Sequence, residues 1–65
     1  MLSLQEIKII KHSANGSTAK EIARLMDCEP RTIESYLERI KRKLKARNVA
    51  HAVYIAAQGW VIEKR

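Results

Sequence analysis

The 65-residue chain has no phenylalanine, one tryptophan and two tyrosines. Its core must therefore be built from aliphatic side chains. That core is thin, because a domain of about 60 residues buries only about 60% of the surface its unfolded chain exposes. Deep substrate clefts need more protein than this, which argues against an enzyme. Cys28 is the only cysteine, so an intrachain disulfide and a cysteine-rich zinc site are both excluded. His12 and His51 have no companion ligands near them, and no metal or cofactor is expected. Two glycines and one proline leave no glycine-rich phosphate loop and no linker. A single domain over residues 1–65 is expected.

Long apolar runs are missing too. The longest, Ala52 to Ala57, is far too short to cross a bilayer. Lys8 and Lys11 interrupt the only stretch that could serve as a signal peptide, so a soluble, cytoplasmic protein is expected. Acid is the scarce charge. Seven Asp and Glu against thirteen Lys and Arg give a net charge of +6, which favours a polyanionic partner. With 46% hydrophobic residues the chain is too apolar to be a disordered basic tail.

What is present is a succession of helix signals. Ser3 with Glu6 three residues later forms a capping box, and Leu4, Ile7, Ile10 and Ala14 follow at roughly helical spacing. Asn15-Gly16 reads as a stop. Thr18 with Glu21 forms a second box, and Ile22, Ala23 and Met26 give the short helix behind it an apolar face. That helix must end before Pro30, which suits the first turn of a third helix, with Glu29 as N-cap. There Ile33, Leu37, Ile40 and Leu44 form one apolar stripe, uninterrupted to about residue 46. Asn48 can cap a fourth helix striped by Val49, Ala52, Val53 and Ala56. Gly59 is expected to end it, with Trp60 and Ile62 folding back onto the core.

The second and third helices are joined by Asp27-Cys28-Glu29 alone. Two helices joined by so short a turn tend to cross at about 90–120°, the helix-turn-helix arrangement. Such a unit can lay its second helix in the major groove of DNA. If the apolar stripe of the third helix faces inward, Arg31, Glu34, Ser35, Glu38 and Arg42 lie mostly outward. Several are groups of the kind that read base edges. Residues 39–47 hold six basic side chains and no acid, suited to phosphates or simply to water. Lys20, at the start of the second helix, can add a phosphate contact.

Taken together, these residues resemble the LuxR-type helix-turn-helix domain, also called NarL/FixJ or GerE-like. The resemblance covers nearly all of residues 2–62. It rests on Leu2-Ser3 with Glu6, on Gly16 followed by Lys20-Glu21-Ile22-Ala23, and on Thr32-Ile33. It continues through Leu37, Ile40, Arg42-Lys43-Leu44, Asn48 and Ala52-Val53. It implies an all-α, four-helix domain that binds double-stranded DNA to regulate transcription. Such domains usually act as dimers, and contact with RNA polymerase is a further expectation. By this resemblance Glu34, Ser35 and Glu38 face bases, and Thr32, Tyr36 and Lys43 touch or support the phosphate backbone. Val49, Ala52, Val53 and Ala56 form the dimer contact. Arg31 joins the base-facing set by its outward position, and Lys20, Arg39 and Arg42 join the phosphate set by their charge.

Other readings stand beside these. Glu34 can pair with Arg31, and Glu38 with Arg42, instead of reading cytosine. Tyr36 can support packing or bond a phosphate. Cys28 reads as a small buried hydrophobe rather than a redox sensor. As whole-protein alternatives, a protein-interaction module could keep the fold without binding DNA, and a promoter-reading sigma-factor domain shares the motif. A membrane-surface helix ranks last, because the core needs the apolar stripe of the third helix.

Overall fold

The computed structural model describes residues 2–63, with side chains through residue 58. In chain order the helices are α1 (Leu4–Ala14), α2 (Ala19–Leu25), α3 (Pro30–Leu44) and α4 (Val49–Glu63). Among the described residues there is no strand. The fold is all-α, as expected. No described helix is long and apolar enough to cross a membrane.

The helices begin where their caps dictate. The backbone N–H of Glu6 donates to Ser3 Oγ at 3.2 Å, and the N–H of Ser3 donates back to Glu6 Oε1 at 2.8 Å. Thr18 and Glu21 repeat this box at the head of α2 with the same two distances. Each box satisfies two of the N–H groups that a helix start leaves unpaired. Pro30 occupies the first turn of α3, where a missing N–H costs nothing, and Glu29 caps it without a side-chain bond. At α4 the N–H of His51 donates to Asn48 Oδ1 at 2.8 Å, and the N–H of Arg47 donates to His51 Nδ1 at 3.1 Å. Here a histidine accepts from the residue before the cap, where the glutamates of the other two boxes accept from the cap residue itself.

The first three helices stop in one way. After α1, α2 and α3 the chain turns through a left-handed residue, respectively Gly16 (φ 89°), Asp27 (φ 55°) and Lys45 (φ 55°). The N–H just beyond each turn reaches back to a carbonyl of the last helical turn. Ser17 bonds His12, Cys28 bonds Ala23 and Ala46 bonds Lys41, at 3.1, 2.9 and 2.8 Å. These are Schellman closures. Only the first uses glycine, so only the first is written plainly in the sequence. The chain from Asp27 to Glu29 thereby turns tightly between α2 and α3.

The core is formed by Ile9, Ile10, Ile22, Ala23, Ile33, Ile40 and Ala52, all almost wholly shielded from water. All four helices contribute to it. α2 packs chiefly on α3, while α1 lies against both α3 and α4. Leu37 and Leu44 flank this core as half-buried partners, which completes the expected α3 stripe.

Four expectations need correction. The inward face of α1 is Glu6, Ile9 and Ile10. Leu4, expected to be inward, is 81% exposed, and Ala14 is exposed as well. Ile10 alone of the expected stripe is fully buried. The cause is Glu6, whose paired carboxylate takes the inward place that Leu4 and Ile7 were expected to hold. Gly59 does not end α4, which runs on to Glu63. Glycine weakens a helix by about 1 kcal/mol relative to alanine, but no proline or left-handed turn follows to stop it. The side chains of Trp60 and Ile62 lie outside the described residues. Cys28 is exposed rather than buried, because it follows the left-handed Asp27 and the turn carries it outward. Ala52 is fully buried in the chain's own core and offers nothing to a second subunit.

Candidate nucleic-acid interface

α3 separates its two faces cleanly. Ile33, Leu37, Ile40 and Leu44 turn inward. Arg31, Ser35, Glu38 and Arg42 repeat that spacing two residues earlier. At 3.6 residues per turn, a two-residue offset is about 200° around the helix, so this second row stands opposite the core. Every one of its members is exposed. Glu34, Thr32 and Arg39 are exposed on the flanks of the same ridge. Lys20 is exposed in the first turn of α2. Nothing among the described residues covers the ridge.

Charge along the ridge is arranged by short-range pairs. Lys41 Nζ lies 2.7 Å from Glu38 Oε2, an i,i+3 pair, and Arg42 is not the partner. The hydrogen bond and the charge of Lys41 hold the Glu38 carboxyl below its ordinary range, with Arg42 adding a smaller pull. The expected pairing of Glu38 with Arg42 is thus replaced by a neighbour one residue nearer. Either spacing brings side chains together on a helix. Glu34 does not pair with Arg31 and has no hydrogen-bond or ion-pair partner among the described residues.

Tyr36 and Arg39 act together. The Tyr36 ring is half-buried against the core, and the Arg39 guanidinium sits 5.4 Å from its centroid. A cation over an aromatic face gains about 0.5–1 kcal/mol at an exposed site. It also fixes the guanidinium beside the ring, where an anion can still reach it because Arg39 is exposed.

Lys43 is different. Its ammonium donates to Glu6 Oε1 at 3.0 Å, across 37 residues of sequence. The same oxygen accepts the Ser3 N–H. Glu6 is therefore the cap of α1 and the anchor of α3 at once, although it lies in the core with 1% of its surface exposed. The Ser3 backbone bond, helped by the bond and charge of Lys43, lowers its pKa against the opposing effect of burial. Sequence reasoning saw Glu6 only as a cap and Lys43 only as a basic residue near phosphate. Local spacing carries no sign of their pairing. The ion pair turns Lys43 into a strut between α1 and α3.

Among the described residues no group of His, Cys, Asp and Glu is placed to hold a metal ion. What the site offers instead is an open, rigidly backed ridge carrying cations on both sides of two carboxylates. Comparison with curated proteins gives no significant match, and comparison with solved structures gives none. The family model GerE, described as bacterial regulatory proteins of the luxR family, matches residues 1–56. That span takes in α1, α2, α3 and the first half of α4. The chain therefore belongs to the luxR family of bacterial regulatory proteins, a family of helix-turn-helix DNA-binding domains.

Proposed function

We propose that this domain binds double-stranded DNA sequence-specifically, as a homodimer, to regulate transcription in the cytoplasm. The observation that carries the reading is the row Arg31, Ser35, Glu38 and Arg42, every member exposed and diametrically opposed to the inward stripe. A helix so divided can enter a major groove without disturbing the core that holds it. Arg31, Glu34 and Ser35 then lie toward base edges, and Glu38, engaged by Lys41, lies beside them. Lys20, Thr32, Arg39 and Arg42 lie toward the sugar-phosphate walls, with Tyr36 supporting Arg39. Lys43, whose charge is balanced by Glu6, supports the ridge from behind as the tie between α1 and α3.

The dimer contact is proposed on the outward part of α4. Val53 and Ala56 pack against the chain's own core but stay half-buried, as does Val49. Beside them Tyr54 is 64% exposed, and Ala50 is exposed one turn earlier. These side chains can meet a second copy once Ala52 is left to the core. The alternative of a fold kept only for protein contact drew its force from two acids on the ridge. Lys41 neutralises one of them.

Fluorescence anisotropy on labelled duplexes, repeated over a range of salt concentrations, tests the reading. About five phosphate contacts per subunit give a slope of log K against log salt near −4 to −5, at roughly −0.9 per contact. Arg42→Ala should lower affinity across all sequences and make the slope shallower by about 0.9. Duplex binding that ignores salt, or no binding at all, overturns the proposal.

A further inference from the structure

The two carboxylates on the ridge are chemically unequal. Glu38 is engaged by Lys41 at 2.7 Å, so its charge is balanced and part of its acceptor capacity is used. Glu34 is exposed in the second turn of α3 and has no partner among the described residues. A free carboxylate only accepts hydrogen bonds. Phosphates repel it, and so do the acceptor edges of guanine and thymine. The major groove offers it amino donors, of which cytosine N4 is the usual match for a glutamate.

We infer that Glu34 is a specificity determinant of this domain, accepting a hydrogen bond from a cytosine amino group, while Glu38 is not. The inference rests on the DNA-binding reading above and names the base that reading leaves open. Three features support the division of labour. Glu34 lies near the amino end of α3, the part of such a helix that meets base edges. Arg31, one turn earlier on the ridge, carries a positive charge that moderates the repulsion between Glu34 and the phosphate backbone. Lys41 already engages one oxygen of Glu38 at 2.7 Å, so that carboxylate has less acceptor capacity to offer a base than Glu34 has.

The experiment is selection from a random duplex pool by the 65-residue chain, by E34Q and by E38Q, followed by sequencing. Both side chains are exposed, so circular dichroism should report intact helices in every variant. Wild-type selections should show a C·G pair at one position of each site. In E34Q the preference at that position alone should fall about tenfold and shift toward A·T, since glutamine matches adenine. E38Q should bind more tightly across sequences, because Lys41 is released, and should keep the cytosine preference. If E34Q selects the same motif as wild type, or if E38Q alone loses the cytosine, the assignment is wrong while the DNA-binding reading survives. If the wild-type chain enriches no duplex, the DNA-binding reading falls and the assignment falls with it.

Discussion

Two lysine–carboxylate pairs lie on different sides of α3, and they have opposite consequences. Lys43 meets Glu6 at 3.0 Å on the side facing α1. Lys41 meets Glu38 at 2.7 Å on the side facing water. The shorter pair is the weaker one. Glu38 keeps 64% of its side-chain surface in water, where screening and side-chain entropy offset most of the attraction. Glu6 keeps 2%, and its carboxylate has lost the water that would otherwise replace a departing partner. Environment, not distance, decides which pair holds the fold and which stays exchangeable at the interface.

Substitutions can sharpen this contrast, and the core sets the upper scale. Ile40→Ala should cost about 2–5 kcal/mol, measured by urea unfolding, because it opens a cavity in the fully buried core. In a domain this small, that loss can unfold the chain at room temperature. Lys43→Ala should cost about 1–2 kcal/mol, since Glu6 keeps only its bond from Ser3. Lys41→Ala should leave the unfolding midpoint unchanged. Equal losses for the two lysines would erase the distinction.

Acid separates the two sides in another way. The folded-state pKa of Glu6 lies below its ordinary value of 4.5. Its contribution to stability is therefore complete above that value and lost as pH falls through the lowered folded-state pKa. Unfolding free energies of wild type and Glu6→Gln, measured from neutral pH downward, should differ most at neutral pH. They should converge below pH 4.5. A constant gap across the titration would mean that the charge of Glu6 contributes nothing.

Much of this arrangement is legible in the sequence. The two capping boxes, Pro30 and the α3 stripe are local signals, set by spacings of three or four residues, and all appear in the structure. The outward row of α3 follows from the same periodicity. What escaped was non-local or conditional. The inward register of α1 depends on a lysine 37 residues away. Without Lys43 as a partner, Glu6 looks like a surface cap and Leu4 looks like core. The partner of Glu38 depended on a choice between two spacings that both reach. Gly59 failed as a stop because glycine permits a left-handed turn without requiring one. The α4 stripe was ambiguous for a simpler reason, because the residues that suit a second subunit also suit the domain's own interior. Ala52 went to the interior.

The length of the third helix has a consequence for how much text one copy of the domain can read. Fifteen residues from Pro30 to Leu44 make a rod about 22 Å long. Even laid full length along a duplex rising about 3.4 Å per base pair, it would span at most about six steps. Six letters distinguish only some four thousand words, whereas a genome offers on the order of a million competing positions or more. Unaided, a lone monomer would find its word repeated hundreds of times over.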